Sequence, residues 1–145
     1  MKKIYKLLVI VVVIGIVILG ISQIFVARLK TNPPVVAEPK WDSPQTRELA
    51  KRACFDCHSN ETVWPWYSNV PPVSWLVILD TVNGRQRLNF SEWGTRRNPD
   101  AGEISEIIQE SEMPPAVYLP MHPNARLSSQ EKQQLITGFA LTLGQ

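Results

Sequence analysis

The sequence predicts an all-α protein: one transmembrane helix followed by a small domain of three to five short helices with long loops. Three observations carry this. The N-terminus is filled by an almost wholly aliphatic run. Later segments repeat apolar residues at helical spacing behind capping signatures. No stretch alternates apolar and polar residues as a half-buried strand does.

Ile4 to Val26 is almost wholly aliphatic, and Leu7 to Ile21 contains no polar side chain. The segment Leu7 to Val26 makes a helix of roughly 30 Å, the thickness of a bilayer core. Valine and isoleucine are mediocre helix formers in water, but lipid forces the backbone to satisfy its own hydrogen bonds. A cleaved signal peptide is the alternative. It expects a shorter apolar region and a small-x-small site, for which Phe25-Val26-Ala27-Arg28 is a poor match. An uncleaved anchor over residues 1–30 is therefore expected. Lys2, Lys3 and Lys6 before the span nearly balance Arg28, Lys30 and Lys40 after it, with a mild preference for the N-terminus inside.

Residues 31–40 hold three prolines and read as an extended, stiff linker that keeps the following domain just off the membrane surface. Residues 41–145 form that domain. Asp42 or Ser43 caps a first helix, with Pro44 in its first turn; Leu49, Ala50, Ala53, Cys54 and Cys57 share one face. An aromatic and proline-rich loop from Val63 to Pro72 follows. A second helix is expected over Val73 to Val82, stopped by Asn83-Gly84. Asp100 to Glu103 reads as a capping box opening a third helix with Ile104, Ile107 and Ile108 on its apolar stripe, ended by Pro114. Ser128 to Glu131 is a second capping box, and Leu135, Ile136, Phe139 and Leu143 line the last helix. The aliphatic core looks thin for such a domain, which is a motive for a flat apolar cofactor in its middle.

The chain has 145 residues and a formal charge of +2, but residues 1–30 carry five basic and no acidic side chains. The remainder carries ten Lys and Arg against thirteen Asp and Glu, close to −3. That argues against a nucleic-acid partner, which would want a clustered basic face. The two cysteines are three positions apart and cannot staple a fold.

Their context is Cys54-Phe55-Asp56-Cys57-His58, the C-x-x-C-H signature of c-type haem attachment. Positions i, i+3 and i+4 share a helix face, so Cys54 and Cys57 reach the two vinyl groups of one porphyrin edge, and His58 reaches the iron as proximal ligand. One covalent haem c is the cofactor this implies. It requires reduced thiols at an exported site. Two other readings use the same pair. A redox dithiol expects a βαβ context that is missing here. A zinc-stabilised interaction module would use Cys54, Cys57, His122 and one further ligand.

Distal-ligand candidates are Met113, His122 and Met121; an iron open on that side is the remaining alternative. Met113 is the first choice, because Pro114 and Pro115 stiffen the backbone beside it. It also reads as plain core at a helix end. Trp64 and Trp66 are candidate haem walls within the set that includes Tyr67, Trp75 and Trp93, although packing alone explains such a set. Arg85 and Arg87 are candidate propionate contacts, with Arg96 and Arg97 behind them; each also reads as solvated loop charge.

The runs Cys54 to Ser68, Pro71 to Leu76, Gly84 to Trp93, Glu112 to Pro115 and Tyr118 to Ser128 resemble the bacterial haem-binding domain family of cytochrome c-like proteins. The resemblance covers about Trp41 to Leu143. It implies a small cytochrome c-like helical domain around one haem, attached through Cys54 and Cys57 and ligated by His58. It makes Met113 the natural distal residue and implies no substrate. Glu112 stands where many Met-Pro cytochrome loops have glycine.

The function expected from these features is electron transfer by a c-type haem at the outer face of the bacterial cytoplasmic membrane. The haem domain stands on the periplasmic or extracellular side. Redox proteins are the expected partners, and no catalytic residue or small-molecule substrate is assigned. A haem-based sensor or small-ligand binder with an open iron is the alternative. A peroxidase-like enzyme would need a polar distal pair such as His122 with Arg126, and nothing else in the chain supports it.

Overall fold

A computed structural model describes residues 2–95 and 97–144. Among these the chain is helical. The elements are α1 (Lys2–Ala27), α2 (Pro44–Ala53), α3 (Phe55–His58), α4 (Val73–Arg87), α5 (Ala101–Gln109) and α6 (Ser129–Leu143), with 3₁₀ turns at Trp66–Asn69 and Pro123–Ala125. The only ladder contact among the described residues is an isolated parallel bridge between Ala37 and Glu92.

The chain divides into two compact units. The first is Met1–Thr31 with Trp64–Asp80; the second is Asn32–Val63 with Thr81–Gln145.

In the first unit, α1 is long and apolar enough to cross a membrane, and its side chains are exposed along its length. Ser22 donates its hydroxyl to the Ile18 carbonyl, so this polar side chain is satisfied within the helix. Ser74 and Ile78 are the buried positions of α4 in this unit.

In the second unit, α6 packs on α5 and on α2, and α2 also meets the Pro123–Ala125 turn. Leu49, Ala50, Phe55, Leu88, Phe90, Ile104, Ile108, Leu127, Leu135 and Phe139 form the core. Phe90 sits in its middle, stacked on Phe139 (5.8 Å between centroids, 5° between planes), on Phe55 (5.5 Å, 21°) and on Trp93 (6.2 Å, 11°). Aromatic rings therefore make up much of this core.

The caps follow the local chemistry. The Ser43 side chain accepts from the Thr46 N–H with Pro44 at the first helical position. Asp100 accepts from the Glu103 N–H, and Ser128 with Glu131 completes a full capping box. Glu131 also takes a 2.6 Å ion pair from Arg52, which joins α6 to α2.

Two expectations are corrected. First, α4 does not stop at Asn83-Gly84 but runs through to Arg87, because the glycine is where the helix meets the turn carrying Cys57. Second, α5 ends at Gln109, before Pro114. Ser111 takes a left-handed φ of 62°, its N–H bonds to the Ile108 carbonyl and the Glu112 N–H bonds to the Ile107 carbonyl. This is a Schellman closure with serine in the position glycine usually fills. Residues 31–40 also make hydrogen bonds to the chain after α4. Val36 and Ala37 donate to the Ser91 carbonyl, Trp93 donates back to Ala37, and Pro39 is buried.

Candidate functional site

The three residues of the cysteine motif are hung on one turn. α2 closes at Cys54, whose φ of −124° leaves the helical region and whose N–H still reaches the Ala50 carbonyl at 2.8 Å. The chain then re-enters helix for α3. The Cys54 carbonyl accepts from the N–H groups of both Cys57 (3.1 Å) and His58 (2.9 Å). Both cysteines are half-buried and are not joined by a disulfide. Cys54 packs against the core, and burial pushes its thiol up to about 12, with Cys57 adding to the effect. A thiol so reluctant to ionise is a poor redox nucleophile.

His58 is held from α4. Its Nδ1 lies 3.0 Å from the Gly84 carbonyl and 3.2 Å from the Leu88 carbonyl. Both neighbours are acceptors, so Nδ1 carries the proton and Nε2 the lone pair. Burial lowers the proton affinity of the ring, the two carbonyls raise it in part, and the charge of Arg87 lowers it again. The product is a neutral imidazole with a fixed tautomer, the form in which histidine ligates a metal.

Gly84 makes this approach possible. A Cβ there would stand 2.4 Å from the Cys57 carbonyl oxygen and 3.1 Å from the Cys57 Cβ. Only glycine lets α4 lie this close to the cysteine turn.

A buried polar loop then fastens the turn to the chain after α4. Ser59, Asn60, Thr62, Asn89 and Ser91 are all buried, and all are hydrogen-bonded. Asn89 donates to the Asn60 side chain at 2.9 Å, the Asn60 N–H reaches the Ser91 hydroxyl at 2.9 Å, and the Phe90 N–H reaches the His58 carbonyl at 2.8 Å. Arg85 belongs to the same lattice. It donates to the Ser59 carbonyl (2.7 Å), the Thr62 hydroxyl (2.8 Å) and the Asn32 side chain (2.9 Å). Its guanidinium thus bonds to protein acceptors, whereas Arg87 is exposed at the end of α4. Arg97 is exposed as well, and Arg96 lies outside the described residues.

Gly84, Asn60, Asn89 and Ser91 escaped the sequence reading as site residues. Asparagine and serine ordinarily signal turns, and their burial depends on a partner about thirty residues away. The usable signal was the dense polar run directly after His58.

The distal candidates lie on the loop after α5. Met113 is 37% exposed, and its N–H leans on the Ile107 carbonyl at 3.4 Å. The Met113–Pro114 peptide is cis. Met121 is exposed. His122 is half-buried and stacks on Tyr118, with 3.9 Å between ring centroids and 8° between planes. The Tyr118 hydroxyl donates to Asp56 at 2.6 Å, and His122 Nδ1 lies 3.9 Å from the same carboxylate. The loop carrying the distal candidates is therefore bonded to the residue between the two cysteines. Among the described residues no three His, Cys, Asp or Glu side chains gather as a metal-ion site, so the zinc reading lacks its ligand set.

Trp64 and Trp66 fall in the first unit. The Lys30 ammonium lies over the Trp64 ring at 5.6 Å, and Trp66 is exposed and edge-on to Tyr67.

A neutral histidine with a defined lone pair, beside two thiols on the same turn, suits a haem better than a bare ion. Comparison with protein families decides the matter: residues 16–140 match the model of the haem-binding domain. The chain belongs to that family. Haem binding is accordingly the function of this haem-binding domain, and the match extends into the second half of α1. Comparisons with curated proteins and with solved structures return no match.

Proposed function

We propose that this haem-binding domain protein is a membrane-anchored, single-haem c-type electron carrier. The observation that carries the reading is the cysteine turn. Cys54, Cys57 and His58 share it, and His58 has its Nδ1 proton committed to two backbone carbonyls. In this reading Cys54 and Cys57 hold the haem through thioethers and His58 Nε2 is the proximal ligand. The bound haem supplies a one-electron iron couple. Around it, the Gly84 and Leu88 carbonyls keep the imidazole neutral and fixed in direction. Met113 is the distal ligand and His122 its alternative. Arg87 is the better propionate partner, since Arg85 is already engaged with Ser59, Thr62 and Asn32.

α1 anchors the protein in the bacterial cytoplasmic membrane, and the haem domain stands on its outer side, where thioether attachment takes place. Its partners are redox proteins. No side chain is assigned a catalytic role.

A haem-based sensor with an open iron is the second reading. Carbon monoxide separates the two. Haem-loaded protein is reduced and exposed to the gas. The carrier would keep its reduced spectrum, because His58 and Met113 would both hold the iron. A sensor shifts its spectrum at once.

A further inference from the structure

The first unit carries an uncharged apolar surface. From Trp64 to Leu79 the chain contains no charged side chain. Along α4 the exposed positions in this stretch are apolar: Val73, Leu76 and Leu79, with Val70 just before the helix and Trp66 exposed in the preceding turn. Val73, Leu76 and Leu79 step around the helix by 300° each, which makes a drifting stripe. Ser74 and Ile78 face the other way and are fully buried. A surface helix in water has the opposite arrangement, with polar residues outward. The stripe stops where the charge begins. The exposed positions from Asp80 onward are Asp80, Asn83, Gln86 and Arg87.

The level of this stripe relative to α1 is fixed by hydrogen bonds. The Ser74 hydroxyl donates to the Gln23 side chain at 2.7 Å. With Leu7 to Val26 filling the hydrocarbon layer, Gln23 lies about 5 Å inside its outer boundary. Beyond the end of α1, Lys30 donates to the Asn69 side chain at 2.7 Å and lies over the Trp64 ring. A lysine reaching outward beside tryptophan and tyrosine is the pattern of a headgroup layer.

We propose that Trp64–Leu79 is an interfacial membrane segment: its Val73, Leu76 and Leu79 face sits in the outer leaflet beside the exit of α1, with Trp64, Trp66 and Tyr67 at headgroup level. The occupant of the apolar stripe is lipid. The helix carrying the stripe is joined to α1 through the Ser74–Gln23 hydrogen bond, the stripe carries no charge, and it lies at the depth where an amphipathic helix rests 5–10 Å into the headgroup boundary. This rests on the reading of α1 as a membrane-spanning helix.

The test uses the full-length, haem-loaded protein in phosphatidylethanolamine and phosphatidylglycerol vesicles. Nitroxide labels are placed on single introduced cysteines at Val73→Cys, Leu76→Cys and Leu79→Cys. Ile14→Cys in α1 and Gln134→Cys on the exposed side of α6 are the references. Collision with oxygen, which concentrates in lipid, is compared with collision with a water-soluble nickel chelate. The oxygen-to-nickel ratio at positions 73, 76 and 79 is expected to be several-fold above that at 134 and to approach that at 14. A lipid-like ratio at 14 with water-like ratios at 73, 76 and 79 overturns the proposal and leaves the anchor standing. A water-like ratio at 14 removes the anchor and the proposal with it. Three positions on one face keep the result independent of any single variant's folding.

Discussion

Gly84→Ala tests the contact on which the site is built. In an ordinary helix interior this change stabilises by about 1 kcal/mol, because alanine has the better helix propensity. Here the new Cβ meets the Cys57 carbonyl oxygen at 2.4 Å and its carbonyl carbon at 3.0 Å. An unstrained carbon–oxygen contact lies at about 3.3 Å or more, so α4 and the cysteine turn must separate by nearly ~1 Å. The obstacle is backbone and cannot rotate away. Overpacking of this kind costs about 1–3 kcal/mol, and stretching the bond from His58 Nδ1 to the Gly84 carbonyl costs about 1 kcal/mol more. Set against the propensity gain, the expected net loss is about 1–3 kcal/mol. Urea unfolding should show it as a lower midpoint at unchanged slope. The absorption spectrum of the haem-loaded variant should also shift, since the imidazole loses one of its two anchors. Gly102→Ala is the control. Its Cβ meets only the end of the Asp100 side chain at 3.1 Å, so it should be neutral or slightly stabilising. If Gly84→Ala is as stable as the parent or more so, with an unchanged spectrum, the close approach of α4 to Cys57 is wrong.

A second glycine gives a compensable clash. A Cβ on Gly138 would lie 2.1 Å from the Thr46 hydroxyl, so Gly138→Ala should destabilise by about 1–3 kcal/mol, and adding Thr46→Ala should recover only part of that in a double-mutant cycle, because the Thr46 Cβ stays 2.9 Å away. Glu131 is held down to about 2, first by the Ser128 N–H and then by Arg52. Its folded value lies below its ordinary one near 4.5, so its stabilising contribution is complete above about 4.5 and disappears as pH falls through about 2. The stability difference between parent and Glu131→Gln should shrink over that interval in acid titrations followed by circular dichroism. For the distal side, Met113→Ala in haem-loaded protein should open the reduced iron to carbon monoxide and lower the reduction potential, while His122→Ala should do neither; the reverse pattern would assign His122.

The parts of the fold that were legible in the sequence are those decided within one or two turns. Ser43-Pro44, Asp100 and the Ser128–Glu131 box announce their helices because a cap uses neighbours three residues away. The spacing of Cys54, Cys57 and His58 is equally local. What was not legible depends on partners distant in the chain. Gly84 reads as a helix stop, because nothing nearby says that the Cys57 carbonyl occupies the space of its missing side chain. Ser111 gives no hint of a left-handed turn, so the end of α5 was assigned to the prolines that follow. Asn60, Asn89 and Ser91 are polar and look solvated, yet they are buried because they satisfy one another. The prolines of residues 31–40 show an extended backbone but not that Ser91 and Trp93 bind it.

The central claim is that Cys54 and Cys57 hold the haem covalently. Trypsin cleaving after Arg52 and Arg85 releases the segment Ala53 to Arg85, which contains both cysteines. Mass spectrometry of this segment, from full-length protein made in cells with working cytochrome c maturation, is the most direct measurement. The account predicts one haem added to the segment through both sulfurs and retained after acid–acetone extraction, with the haem lost in the Cys54→Ala, Cys57→Ala double variant. A segment at its unmodified mass, with the haem extracted into the solvent, would contradict it.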